Sequence, residues 1–306
     1  MIDHSPTKRL AIIGTTASGK SHIAMRLAQS IGNIELVSLD SMQIYKGMDI
    51  GTAKPTLRDQ ELIPHHMIDI INPHQQYTIS EFQKEAQDAI YQIETKEYLP
   101  LLVGGTGLYL RAVIDQLNIP GQFIGTRKKL ELNPDTADLY TQLSELDPLA
   151  STRMEPNNRR RIIRALEVTI GSGKRFSSYG PGLTEYQESR YRVIGLRWDR
   201  NVLNERIAKR FEKQMNEGFL TECENLLNGQ KQLSRTASQA LGYKHLFAYL
   251  QGKSSLDEAI GTALKDTRQF ARKQERWFRR DPRISWININ ETEEEAFPMI
   301  LKEYEQ

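Results

Sequence analysis

Residues 14–21 read Gly14, Thr15, Thr16, Ala17, Ser18, Gly19, Lys20, Ser21 and match G-x-x-x-x-G-K-[ST] at every position. A short apolar run, residues 10–13, precedes them, and Ile23, Leu27 and Ile31 follow at helical spacing. A strand, a glycine turn and a helix in that order is the context in which this motif forms a P-loop. The expected fold class is therefore α/β: a P-loop NTPase-like parallel sheet flanked by helices. Gly14 and Gly19 let the backbone turn tightly with its N–H groups pointing inward, and the helix N-terminus adds partial positive charge. Lys20 adds a full charge, and Ser21 offers a hydroxyl to Mg²⁺. The result is a diphosphate cradle. The motif is ordinarily nucleotide-binding, an ATP-binding motif, but by itself it does not say which diphosphate it holds.

The rest of the chain is long enough, at 306 residues, to bury a full core. A net charge of +2 gives no global pull toward nucleic acid, so any such affinity must come from local patches. The single cysteine, Cys223, excludes an internal disulfide and a cysteine zinc cluster and suits a reducing compartment. Residues 1–9 are polar and lead into only four apolar residues, too few for a signal peptide or a membrane span. A cytoplasmic protein is expected.

In chain order, residues 34–39 predict a second strand that ends at Asp40. Ligand-facing residues gather at the carboxyl ends of parallel strands. That edge also carries the P-loop, so Asp40 is a candidate metal ligand or base. Residues 44–55 form a glycine-punctuated loop, residues 67–71 predict a third strand, and Ser80 with Gln83 reads as a capping box. His65 and His66 are adjacent and point to opposite faces of a strand, a poor chelate, so they read as structural. Residues 101–103 predict a fourth strand running into Gly104–Gly105–Thr106–Gly107, either a substrate-facing edge or a plain βα turn. From 115 to 189 strand-like runs vanish, which predicts an inserted all-helical domain between a core of 1–114 and 190–306. Three arginines, Arg159 to Arg161, crowd one helix start there. Cations are unfavourable at that end, which suggests an external anion. Gly171–Ser172–Gly173–Lys174 is a decoy, since a P-loop would need glycine at Val168 and a hydroxyl at Arg175. Ser255 with Glu258 opens the longest predicted helix. Cations at 268, 272, 276 and 280 make one stripe on it, which fits a surface tracking a nucleic-acid backbone. The acidic run 291–295 reads as surface.

Seven stretches together, GTTASGKS, LVSLDSMQIYKGMDIGTAKP, PHHMIDI, PLLVGGTGLYLRA, RRRIIRALEV, QALGYK and TRQFARKQERWF, resemble the tRNA dimethylallyltransferases, also called tRNA isopentenyltransferases. They occur in family order from residue 10 to about 280, and DSMQIYKGMDIGTAKP is the most specific. The resemblance implies transfer of a dimethylallyl group from its diphosphate to the exocyclic N6 amine of the adenosine 3′ to a tRNA anticodon, with release of diphosphate. It implies Mg²⁺ as cofactor, with tRNA and dimethylallyl diphosphate as partners. No membrane is involved, and a monomer is expected. It carries catalytic roles onto Asp40 (general base), Thr106, Lys20 and Arg206, and diphosphate binding onto residues 14–21. It carries tRNA contacts onto Asp40, Ser41, Met42, Gln43, Thr106, Arg127, Arg160, Arg161, Ile162, Ile163, Arg164, Gln239, Ala240, Leu241, Gly242, Tyr243, Lys244, Arg268, Arg272 and Lys273. Three rivals remain at this point: a small-molecule P-loop kinase, an adenylate isopentenyltransferase and an RNA-binding protein with a degenerate P-loop. The first would consume ATP, the second would prenylate free AMP, and the third is opposed by the intact Gly14, Gly19, Lys20 and Ser21.

Overall fold

The computed structural model describes residues 9–183, 185–229 and 231–305, so the polar leader up to Lys8 lies outside the described residues. The chain divides into two compact units. One runs to Ile114 and resumes at Glu188, and the other is Asp115–Gln187.

The larger unit begins with β1 (Arg9–Gly14), α1 (Lys20–Ile31), β2 (Ile34–Leu39), α2 (Leu57–Leu62), β3 (His65–His66), α3 (Ile79–Thr95), β4 (Leu99–Gly104) and α4 (Gly107–Ile114). The smaller unit follows with α5 (Ile124–Glu131), α6 (Thr136–Leu146), α7 (Pro148–Thr152) and α8 (Arg159–Ser172). The larger unit then resumes with β5 (Tyr191–Trp198), α9 (Arg200–Asn216), α10 (Phe219–Leu227), α11 (Arg235–Ser238), α12 (Tyr243–Leu250), α13 (Leu256–Phe278), β6 (Ile284–Ile289) and α14 (Ala296–Glu305). Its six strands form one sheet in the order β3-β2-β4-β1-β5-β6, every pair parallel.

Helices cover both faces of this sheet, which is why β1 and β4 read as continuous apolar runs rather than alternating ones. Leu10 and Ile12 of β1 pack with Leu36, Ile194 and α1 on one face, while Ala11 and Ile13 pack with Val37, Leu102 and α3 on the other. A third cluster joins Ile44, Tyr45 and Met48 to Phe211, Phe219 and Tyr243, so the helices after β5 pack onto the loop that follows β2. Because the strands are parallel, the turns after β1, β2 and β4 share one edge of the sheet, where ligand-facing residues gather.

The structure differs from the sequence reading at three places in this unit. The third strand is His65–His66 rather than 67–71. Met67 and Asp69 take positive φ, 64° and 53°, which a strand cannot accommodate, so the apolar run is a buried turn. The helix at 79 is capped by Thr78 and Glu81, not by Ser80 and Gln83. Both boxes are present in the sequence, and the charged Glu81 is the better acceptor at a positive helix end. Gln83 donates to the Ala112 carbonyl instead, at 2.7 Å. The acidic run 291–295 is no solvated tail. Glu294 pairs with Arg26 and lies 2.6 Å from His22, and Glu293 pairs with Arg206 at 3.0 Å, so the run clamps onto α1 beside the P-loop.

In the smaller unit Leu130, Leu139, Leu143, Ile162, Ile163 and Leu166 form the core. Gly173 ends α8 in the left-handed conformation at φ 70°, so the decoy glycine–lysine motif is a helix C-cap. Among the described residues, no helix of either unit is long and apolar enough to cross a membrane.

Candidate active site

The P-loop joins β1 to α1 through two left-handed residues, Ala17 at φ 63° and Gly19 at φ 84°. Gly19 needs its hydrogen for a second reason, because a Cβ there would lie 2.8 Å from the Cβ of Glu293. Lys20 curls back and donates to the Thr15 carbonyl at 3.2 Å. The loop is held from outside by three side chains. Trp198 Nε1 donates to the Ser18 carbonyl at 3.0 Å, Arg206 Nε to the Ala17 carbonyl at 2.9 Å, and Arg210 Nη2 to Thr16 Oγ1 at 2.6 Å. Gln274 of α13 closes it from above: it accepts the Thr16 N–H at 2.9 Å and donates to the Gly105 carbonyl at 2.8 Å. One amide thus fixes the P-loop to the turn after β4.

The turn after β2 supplies Asp40, whose Oδ1 accepts the Met42 N–H at 2.8 Å. Thr106 Oγ1 accepts the neighbouring Ser41 N–H at 3.3 Å, which ties the β2 and β4 turns together. Gln43 points inward: it accepts from Ser38 Oγ at 2.9 Å and donates to the Thr52 and Ala53 carbonyls at 3.4 and 3.3 Å. The loop that carries Thr52 is gripped from below. Glu222 accepts the N–H groups of Asp49, Ile50 and Gly51 at 2.9, 2.8 and 3.1 Å, and the Tyr243 hydroxyl at 2.6 Å. Gln214 holds the Ile50 carbonyl at 2.6 Å, and Lys54 pairs with Asp49 and Asp69 at 2.5 and 2.6 Å.

Two clefts open in this unit and meet on the P-loop. The first, about 480 Å³, is lined by Thr16, Lys20, Ser21, Asp40, Met42, Thr106, Arg210, residues 239–244, Phe270 and Lys273. The second, about 920 Å³, is lined by residues 17–22, Ile50, Lys54, Arg206, Lys209, Arg210 and Glu293. Lys20, Ser21, Ala53, Arg210 and Gln214 border both. Burial pushes the Lys20 ammonium down to about 8; Asp40 pulls it back up, and Arg210 pushes it further down. Burial likewise lowers Arg210, opposed by Asp40. Two cations and one carboxylate therefore share a poorly solvated floor. Such a floor can offer concentrated positive charge to an anionic ligand, with a carboxylate beside it.

The sequence-predicted residues separate into groups. Lys20, Ser21, Thr16, Asp40, Ser41, Met42, Gln43, Thr106, Gln239, Leu241, Lys244 and Lys273 all line the first cleft. Arg206 does not: it lines the second cleft, stacked over Trp198 at 4.2 Å and engaged by Glu293 and Ala17. Its neighbour one turn on, Arg210, is the arginine placed beside Asp40 and Lys20. Arg268 and Arg272 lie on the face of α13 turned away from Phe270 and Lys273, outside either cleft lining. Ala240 and Tyr243 border the cleft but are 4% and 0% exposed, which leaves little beyond a wall contact.

In the smaller unit the expected basic surface shrinks. Ile162 and Ile163 are core residues, 0% and 4% exposed, so their side chains are not offered to a ligand. Arg127 and Arg164 neutralise the buried Glu167 at 3.3 and 2.8 Å. Arg159 donates to the carbonyls of Glu131, Asn133 and Pro134 at 3.3, 2.5 and 3.4 Å, at the end of α5. A cation is favourable at that helix end, so the arginine that starts α8 answers to α5. Arg160 and Arg161 remain exposed.

Glu222 goes unnoticed in the sequence reading, Arg210 is noted there only as lying on or beside the α9 stripe, and Gln274 as the end of a tRNA-facing segment; all three are site-building residues. Arg210 lies four residues after Arg206 on one helix face, and Gln274 is a polar residue within the apolar stripe of α13. Both are signals of a buried hydrogen-bonding task. Glu222 gives no such signal before the loop it grips is known.

Comparison with known proteins identifies the family. The IPP transferase family model matches residues 43–281, and an isopentenyl transferase model matches residues 7–71. A tRNA dimethylallyltransferase of Carboxydothermus hydrogenoformans is 43% identical over 92% of each chain, and one of Geobacter sulfurreducens is 40% identical, also over 92% of each. Among solved structures, a tRNA isopentenylpyrophosphate transferase of Bacillus halodurans superposes with a TM-score of 0.70 at 36% identity, over 98% of this chain and 97% of that one. A eukaryotic dimethylallyltransferase acting on tRNA reaches a TM-score of 0.81 at 25% identity, over 97% of this chain and 77% of that one. With the P-loop, the carboxylate beside it and the family match all on one chain, the protein belongs to the IPP transferase family.

Proposed function

We propose that this protein transfers a dimethylallyl group from dimethylallyl diphosphate to the exocyclic N6 amine of the adenosine 3′ to the anticodon of tRNA. The observation that carries this reading is the meeting of two clefts on Lys20, Ser21 and Arg210, with Asp40 in only one of them. Diphosphate on the P-loop can then be met from the Asp40 side by a base that has left its stack. The amine lone pair forms the new C–N bond, and the allylic C–O bond breaks with its electron pair leaving on diphosphate. Lys20, Arg210 and the N–H groups at the start of α1 meet that charge. Asp40 takes the amine proton, a role typically worth about 10²–10⁴-fold. Thr106 holds the Asp40 turn in place through Ser41.

The donor set suits Mg²⁺ better than a protein-caged metal. No group of three or more His, Cys, Asp or Glu side chains forms a metal site among the described residues. Ser21 and Asp40 line the same cleft, and a hydroxyl or carboxylate with ligand oxygens and waters completing the shell is how Mg²⁺ is usually held beside phosphates. When bound it would add positive charge against the departing diphosphate. The exposed Arg160 and Arg161 and the α13 cations are the surfaces we assign to tRNA, and we place the reaction in the cytoplasm with the enzyme as a monomer.

The test is a single-turnover incubation of unmodified tRNA with labelled dimethylallyl diphosphate and Mg²⁺, with AMP and ATP in parallel. Label in tRNA alone is the expected result, and Asp40→Asn binds tRNA normally but loses turnover by at least about 10²-fold. Label in AMP, or γ-phosphate consumed from ATP without label transfer, overturns the assignment.

A further inference from the structure

Phe270 is a large apolar side chain left exposed in the cleft. It is 40% exposed and belongs to none of the hydrophobic clusters, although helical periodicity counts it with the buried face of α13. Its ring lines the Asp40 cleft in the company of Lys273, Gln269, Lys244 and Leu241. It lies one helical turn, about 6 Å along the axis, before Gln274, the residue that closes the P-loop. An exposed aromatic ring in a cleft that Lys244 and Lys273 also line suits a flat base attached to a phosphate backbone.

We propose that Phe270 is the stacking platform for the RNA base adjacent to the extruded adenosine. The inference rests on the RNA-prenylation reading above. Extruding one base from a loop exposes a face of its neighbour. Phe270 would replace that lost stacking, and Lys273 and Lys244 would hold the phosphates on either side. Lys244 is already paired with Asp266 at 2.6 Å, so this cation is held in one direction. Because every base has a π-face, this contact holds the register of the loop without reading its sequence.

The experiment uses the full chain and two anticodon stem–loop RNAs, with 2-aminopurine at the 5′ neighbour of the target adenosine in one and at the 3′ neighbour in the other. Fluorescence on binding and steady-state transfer are both read. For one of the two positions, the wild type quenches 2-aminopurine on binding. Phe270→Ala loses that quench and raises KM for RNA by about 5- to 100-fold. The KM for dimethylallyl diphosphate stays within twofold. Phe270→Trp restores both signals, and Phe270→Leu does not. An RNA KM for Phe270→Ala within twofold of wild type, an unchanged quench, or full restoration by Phe270→Leu overturns the stacking role. The quench is read without turnover. An enzyme that binds and quenches but does not transfer label therefore refutes the prenylation reading and leaves the contact standing.

Discussion

Gln274 offers the sharpest test of how the active site is held. Its amide is 8% exposed and satisfies two backbone groups at once, the Thr16 N–H at 2.9 Å and the Gly105 carbonyl at 2.8 Å. Gln274→Ala leaves both without a partner. An orphaned buried polar group costs about 1–3 kcal/mol. The emptied space adjoins the cleft, so water re-enters and returns part of this loss. The net destabilisation should be about 2–3 kcal/mol, which at roughly 2–4 °C per kcal/mol for a large domain lowers Tm by about 4–12 °C. Function should suffer further, because the P-loop and the β4 turn are no longer fixed to each other. Calorimetric titration with inorganic diphosphate should show Kd raised about tenfold, on the order of 1.4 kcal/mol. Gln274→Glu separates position from shape. One carboxylate oxygen still accepts from Thr16, but the other faces the Gly105 carbonyl, and a negative charge is added to the cradle. Its diphosphate affinity should therefore fall below that of the alanine variant. A Gln274→Ala protein with Tm within 1 °C of wild type and unaltered Kd would refute the bridge, as would a Gln274→Glu protein that binds diphosphate normally.

Three other outcomes are expected. Lys20 sits near 8 in the free enzyme, held down mainly by burial, and diphosphate selects the ammonium form. Diphosphate Kd should then be flat below about pH 7 and weaken toward tenfold per pH unit above 8, with proton uptake on binding, whereas Lys20→Arg should show no inflection. Arg210→Ala should raise Kd by tenfold or more and, by removing a like charge, move that inflection to higher pH. Arg206→Ala should leave the inflection in place, and an equal shift in both variants would contradict the separate positions of the two arginines. A Cβ at Gly107 would lie 2.1 Å from the indole of Trp277. Gly107→Ala should accordingly destabilise by roughly 1–3 kcal/mol in thermal unfolding, and an unchanged Tm would mean that the ring can withdraw freely.

Sequence alone determined the parts that depend on local order. The P-loop was legible because a strand, a glycine turn and a helix are adjacent in the chain, and its geometry is built from its own backbone. Asp40 was legible because parallel strands put their carboxyl ends on one edge, whereas the turn that carries Thr106 stayed open between a substrate-facing edge and a plain βα turn until the family resemblance gave that residue a role. The α13 helix was legible from its cap at Ser255 and Glu258. Tertiary structure decided which charged and polar groups are spent on the protein itself. Whether an arginine faces solvent or a buried carboxylate depends on a partner 40 residues away, as with Arg127 and Glu167. Whether Arg206 or Arg210 reaches the cleft depends on the roll of α9 against the loop, not on the spacing that puts both on one face. Phe270 and Gln274 exchange the roles that hydrophobicity assigns them. The amide is buried because two backbone groups need it, and the ring stays 40% exposed in the cleft. Periodicity reports the average environment of a helix face, while the donors, acceptors and open spaces that face it come from segments far away in sequence.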